Sequence, residues 1–292
     1  MIASMFASLL TVLFDGVAFG MILFLISVGL SITMGVMRVV NLAHCGFAMI
    51  GGYLTYALIA VAGLPFAAAV PLAVLGTMAI GAVLERTVYS WVYAQSELGQ
   101  VLMTIGLTFV MIASANAFFG SSIQNIPVPG ALRGTTQIGS FGLPVYRLFL
   151  IVVSAACGVA IWLALEKTEA GAKLRAAVDN ARMAGCIGIN VKAMFAVTFA
   201  IGCGFAGLGG ALGSDIFPLE PFYALHYLVL VLIVVSVGGL GSIKGTLLAS
   251  LLLGMVDTLG RYYLPSGGGI VIYLATLMLL LIRPHGLFGR PA

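Results

Sequence analysis

The sequence predicts an all-α polytopic membrane protein, and three observations carry that expectation. Hydrophobic residues make up 62% of the 292 positions and charged residues only 8%, against about 25% charged in a typical soluble domain. Nine acids and thirteen bases cannot form the charged shell that a soluble core of this size requires. Uncharged runs recur at 16–37, 39–84, 98–132, 148–165, 193–214, 221–243 and 262–282, and about 20 residues suffice for one helical crossing of the hydrocarbon. The stretch "EKTEAGAKLRAAVDNARMAGCIGINVK", residues 166–192, gathers eight of the 22 charges. It reads as one soluble loop in a single transmembrane domain covering 1–292. The net charge of +4 therefore bears on orientation, and no nucleic-acid partner is expected.

Taken in order, the runs give about nine crossings of a lipid bilayer, near 10–33, 42–61, 66–84, 100–119, 146–165, 193–213, 222–240, 245–264 and 268–283. A re-entrant segment among them widens the range to eight to ten. The opening "MIASMFASLLTVLF" lacks a basic flank and a small-residue cleavage pattern, so it reads as the start of a retained span. The run 39–84 is too long for one crossing and breaks at "AGLPF", where Pro65 disfavours a helical residue before it. Residues 120–144, rich in Gly, Pro, Ser and Thr, read as a loop, because unpaired amides cannot face hydrocarbon. The span at 245–264 holds Asp257 and Arg261, one helical turn apart and placed to pair. Asp15 reads as an interfacial residue.

Lys167, Lys173, Arg175, Arg182 and Lys192 place the 166–192 loop in the cytoplasm. Alternation then puts Arg38, Arg86, Lys244, Arg283 and Arg290 inside, and Asp215 and Glu220 outside. Arg133 and Arg147 are exceptions, lying in or near the outer 120–145 loop.

The chemistry of an enzyme is missing. Cys45, Cys157, Cys186 and Cys203 stand singly, as packing residues rather than a metal or disulfide set, and His44, His226 and His285 are equally dispersed. The string nearest to a P-loop, "GGLGSIKGT" at 238–246, has Lys and Gly in the wrong order. No intramembrane carboxylate pair suggests a proton relay. No catalytic residue, metal or cofactor is expected in this chain, and a transporter so built must draw its energy from elsewhere. In "IGCGFAGLGGALG", Gly202, Ala206 and Gly210 fall four apart, as do Gly209 and Gly213, so helices can approach closely there.

Two segments are candidates for function. Asn41 to His44, "NLAH", interrupts an apolar run just before "GFAMIGGY". Either a helix restarts there within the membrane with its amides toward a substrate carboxylate, or these residues cap a helix at the cytoplasmic surface. In the basic loop, "KLRAAVDNARMAGCIGIN" has helix formers followed by Gly188 and Asn190 as stop signals. This short helix is either a solvated connector or a docking element for a soluble partner.

At this point the chain resembles a known family, the permease subunits of the high-affinity branched-chain amino acid ABC importers, related to the ribose and urea permeases. "GVMRVVNLAHCGFAMIGGYLTY" at 35–56, "RAAVDNARMAGCIGIN" at 175–190 and "GGLGSIKGTLLASLLLG" at 238–254 carry the likeness, and "RPHGLFGRP" at 283–291 is similar too. Cys45 stands where the family usually has Gly, and Ala249 and Ser250 replace a small pair.

The resemblance implies an ABC importer permease fold in the bacterial inner membrane. It implies a homologous second permease subunit, two cytoplasmic ABC ATPase subunits that bind the ATP, and an extracytoplasmic binding protein delivering a small-molecule substrate. The substrate pathway is expected to run past the polar interruption, at Asn41, His44, Met49, Gly51, Gly52 and Tyr53. Coupling to the ATPases falls on Arg175, Ala176, Ala177, Asp179, Asn180, Ala184, Gly188, Ile189 and Asn190, with small Ala176, Ala177 and Ala184 permitting close approach. Gly238, Gly239, Gly241, Ser242 and Gly245 form its glycine motif. The alternatives are a permease of the same family for urea or short amides, and a self-contained channel or secondary transporter.

Overall fold

The structure, a computed structural model, describes residues 2–37, 39–93, 95–138, 141–265, 267–284 and 286–288. Arg38, His285 and Arg290 lie outside the described residues. Among those described there are nine apolar helices: α1 (Ile2–Met37), α2 (His44–Ala60), α3 (Phe66–Leu84), α5 (Glu97–Phe119), α6 (Val145–Lys167), α9 (Val191–Leu212), α10 (Tyr223–Gly238), α11 (Ile243–Tyr263) and α12 (Gly268–Ile282). A π-helical turn, Glu85–Tyr89, leads from α3 into the short α4 (Ser90–Val92), and the basic loop forms α7 (Glu169–Asp179) and α8 (Ala181–Cys186).

Six stretches are long and apolar enough to cross a membrane: Ser8–Met37, Phe66–Val92, Glu97–Phe119, Val145–Lys167, Val191–Asp215 and Ile243–Tyr263. The other three helices, α2, α10 and α12, hold 17, 16 and 15 residues. At 1.5 Å per residue these reach roughly 22–26 Å, short of a ~30 Å hydrocarbon layer. The nine expected crossings thus divide into six full-length and three short helices. The shortness of α2 has a visible cause. His44, its first residue, lies beside Ile26, eleven residues before the end of α1, so the chain turns back through non-helical residues 39–43 before the helix begins. Irregular backbone at that depth is tolerated only where protein covers it, and Val39, Asn41 and Ala43 are buried.

The centre of the bundle is α9, which packs on α1, α2 and α3, while α1 packs in turn on α11 and α6. Absent side chains make these contacts possible. A Cβ on Gly210 would strike the carbonyl of Ala48, one on Gly51 the backbone of Gly207, and one on Gly209 the side chain of Ile26. Gly202 meets Gly29 of α1 in the same way. The close approach expected of the glycine-rich span therefore occurs on several faces of α9 at once.

Residues 120–144 are not purely loop: β1 (Thr135–Ile138) and β2 (Phe141–Pro144) pair antiparallel, Thr135 opposite Pro144 and Ile138 opposite Phe141. The hairpin satisfies backbone groups at the end of the bundle opposite the basic loop. The cysteines also divide: Cys45 and Cys203 are buried as packing residues, but Cys157 is half-buried and Cys186 is exposed.

Ion pairs hold two of the acids in the spans. Arg147 pairs with Asp15 and so joins α6 to α1, which explains an arginine at the acidic end. Arg261 Nε donates to Asp257 Oδ2 at 2.7 Å, and Asp257 is only 3% exposed. Arg261→Ala strands that carboxylate, whereas Arg261→Ala/Asp257→Asn removes its charge. The single variant is expected to be less stable than the double by roughly 1–3 kcal/mol, read as a lower melting temperature of the detergent-purified chain. Orientation has its own test: an impermeant thiol reagent added outside is expected to label Glu220→Cys and not Glu169→Cys, in a Cys186→Ser background. Labelling at 169 in sealed cells would reverse the assignment.

Candidate functional site: the basic loop and the glycine node beside it

Three side-chain caps shape the loop. Thr168 accepts from Gly171 N at 3.2 Å to start α7, Asn180 accepts from Met183 N at 2.9 Å to start α8, and Asn190 accepts from Ala193 N at 3.0 Å to start α9. Each satisfies an amide that a helix start leaves without an intrahelical partner. The single helix expected over 175–190 is therefore broken in two at Asn180, whose extended backbone (φ −152°) cannot continue α7. At the far end Gly188 is left-handed at φ +89°, and Ile189 N donates back to Ala184 O at 3.0 Å, a Schellman-type closure.

The loop is fastened to the spans. Arg175 donates to the carbonyl of Leu165 near the end of α6, and Gly171 packs on the same carbonyl. Leu174, Ala177 and Ala184 are buried, the two alanines at 1% and 2% exposure. This corrects the role expected of Ala177 and Ala184: they face the chain's own helices, not a partner. Arg175 acts as a tether, while Ala176, Asp179, Asn180, Gly188 and Asn190 are exposed and Ile189 is half-buried. The outward surface instead carries Met183 at 63% and Ile187 at 72% exposure, with Arg182 and Cys186 beside them. Neither Met183 nor Ile187 was singled out from the sequence. Their signal was the four-residue spacing of two apolar side chains in a polar loop, one helical turn apart.

The motif of Gly238, Gly239, Gly241, Ser242 and Gly245 forms a packing node at the same end of the bundle. Gly239 and Gly241 adopt φ +94° and +78°, a conformation that penalises any Cβ. Gly238 lies against Gly245 and Thr246, and Gly241 against Gly35 of α1. Ser242 caps α11 by accepting from Gly245 N at 3.0 Å. The C-terminal tail closes the node, with Leu287 N donating to Val237 O at 2.7 Å and Phe288 N to Gly238 O at 3.3 Å. Lys244 sits 5.9 Å from the ring centre of Trp162, joining α11 to α6.

The segment from Asn41 to Tyr53 is placed differently from a substrate-facing wall. Asn41, His44, Met49, Gly51, Gly52 and Tyr53 are all buried within the chain. Asn41 Oδ1 accepts from Ala43 N at 3.0 Å and from the hydroxyl of Tyr89 at 2.7 Å. His44 Nε2 lies 3.0 Å from Ile26 O. Gly51 and Gly52 seat α2 against Gly207, Gly210 and Leu219, and Tyr53 stacks on Phe119 at 4.6 Å. In this structure these residues brace α2 on α1, α5 and α9. The partnership of Asn41 with Tyr89, 48 positions apart, left no trace in local sequence.

Comparison with known proteins agrees with this architecture. Over residues 12–282 the chain matches the model of a family described as "Branched-chain amino acid transport system / permease component". It is similar to the high-affinity branched-chain amino acid transport system permease protein LivH of Escherichia coli (strain K12), 26% identical over 96% of this chain and 95% of that protein. BraD of Pseudomonas aeruginosa, named a permease protein of the same kind, is 25% identical over 96% and 95%. Among solved structures, PsaBC from Streptococcus pneumoniae in complex with Fab superposes with a TM-score of 0.51 at 15% identity, over 97% of this chain and 95% of that one. That likeness concerns the fold alone. With multiple apolar helices, a family match along nearly its whole length and relatives named as transport permeases, this chain belongs to the branched-chain amino acid transport system permease family.

Proposed function

We propose that this chain is the membrane subunit of an ATP-driven importer of branched-chain and other hydrophobic amino acids in the bacterial inner membrane. It works beside a homologous permease subunit, two cytoplasmic ATPase subunits that bind the ATP, and an extracytoplasmic binding protein that delivers the substrate. The observation that carries this reading is the basic loop. It presents Met183 and Ile187 outward while Arg175, Gly171 and Ala177 hold it against the spans. Such a piece transmits force: an ATPase that moves α8 also moves the end of α6 through the Arg175 tether. Two of the acids inside apolar stretches, Asp15 and Asp257, are each held by an arginine.

Reconstitution with the ATPases and binding protein is the test. ATP-dependent uptake of leucine into proteoliposomes is expected, with urea transported at background. Leucine uptake at full rate without ATP would overturn the importer reading, and ATP-driven uptake of urea alone would change the substrate.

A further inference from the structure

A small cavity of about 10 Å³ lies where the non-helical turn between α1 and α2 meets the π-helical turn that follows α3. Its polar lining is Thr33, Asn41, Tyr89 and Tyr93, and Val39 and Phe199 complete the wall. The bundle closes around it: Asn41 is 2% exposed, Tyr89 and Phe199 1% each. Tyr89 and Tyr93, four residues apart, reach across to the end of α1 and the turn. One donates to Asn41 Oδ1 at 2.7 Å and the other to Met37 Sδ at 3.1 Å.

Hydrogen bonding at Asn41 is incomplete. Its Oδ1 accepts from Ala43 N and from Tyr89, so the amide cannot flip without turning its own N–H groups against the N–H of Ala43. That lock leaves Nδ2, a buried donor, with no partner among the described residues. The hydroxyls of Ser27 and Ser31 are buried without a partner as well, but an O–H turns about its own C–O bond to find an acceptor. Nδ2 has no such freedom. An unmet donor inside the bundle is costly, because neither bulk water nor lipid reaches it.

We propose that this cavity is a binding site for a single water molecule, which accepts from Asn41 Nδ2 and donates to the hydroxyl oxygens of Thr33 and Tyr93. Size selects the ligand: one water needs roughly 10–15 Å³, and nothing as large as an amino acid fits. Both hydroxyl oxygens have lone pairs to offer, since Thr33 spends its proton on Leu30 O at 3.0 Å and Tyr93 spends its own on Met37. Three hydrogen bonds are typical of a buried water. So placed, the water ties α1, the turn before α2 and the end of the α3 span to one another. The inference concerns how the irregular backbone at 39–43 is held, and it stands whatever the chain carries.

Radiolytic hydroxyl-radical footprinting of the full chain in lipid nanodiscs is the test, because radicals formed from a bound water mark the side chains around it. After correction for intrinsic reactivity, Tyr89 and Phe199 are expected to be oxidised severalfold faster than Phe24 and Phe47, which are 0% exposed and do not line the cavity. Val39→Ile adds a methyl group to the wall and separates a wet cavity from a dry one. Expelling the water strands Asn41 Nδ2, so the fast oxidation is expected to vanish and the melting temperature to fall by a few degrees. A dry void would instead be filled, and the melting temperature would rise. Oxidation of Tyr89 and Phe199 no faster than that of the two control phenylalanines, or a higher melting temperature in Val39→Ile, would overturn the site. Fast oxidation that persists in Val39→Ile would overturn it too, since it would mark entry from bulk solvent. Should Val39→Ile fail to accumulate, the comparison within the unmodified chain decides alone.

Discussion

Met183→Asp/Ile187→Asp is expected to leave the chain inserted and bound to its partner permease while the ATPase subunits are lost and uptake falls to background. Both side chains are exposed at the tip of α8, so folding should lose no more than about 0.5 kcal/mol. As anchors in a partner's cleft they contribute ~2 kcal/mol each, or roughly a thousandfold in affinity together. Melting temperature measures the first quantity, and co-purification the second. ATPases retained at full stoichiometry with normal uptake would make the loop a mere connector. Ala177→Glu is a different experiment. Because Ala177 is buried under α7, a carboxylate there is expected to detach the loop from α6 and α9, lowering stability first and coupling as a consequence.

Gly210→Leu is expected to prevent accumulation of folded chain altogether. Even the Cβ would meet the carbonyl of Ala48, so α2 and α9 must separate along the seam on which Gly51, Gly52 and Gly207 depend. Overpacking a tight core costs about 1–3 kcal/mol where side chains can adjust, and backbone cannot move aside as a side chain can. Gly106→Leu is the control, since open space surrounds that position on α5. Monodispersity in detergent and expression level are expected to be normal for Gly106→Leu and absent for Gly210→Leu. Equal behaviour of the two would show that the α2–α9 seam tolerates expansion. The same geometry governs Gly52→Trp: loss of uptake there reports lost assembly, because Gly52 abuts Leu219 and Gly210.

Much of the fold was legible because it follows from local composition. Apolar runs must be helices where no water can satisfy their amides, and the positions of α3, α5, α6, α9 and α11 follow from run length and from Pro65. The Asp257–Arg261 pair was legible from its spacing. The hairpin at 135–144 was not, since a four-residue strand among glycines and prolines carries too little periodicity to read. In the candidate site, Gly188 as a stop and Asn190 as a boundary followed from backbone preference. Asn180 as a break within the loop did not, because an asparagine between two alanine-rich stretches is compatible with one helix as well as two.

By itself the sequence determined that this protein lives in a bilayer and which loop is basic and soluble. Those properties depend on the solvation of single residues and short segments. Only the tertiary structure decided which alanines of the loop face inward, that Asn41 is committed to Tyr89, and that α2 begins beside Ile26 within the bundle. Burial depends on which helix lies across the way, and contacts between residues dozens of positions apart leave no period in the sequence to read.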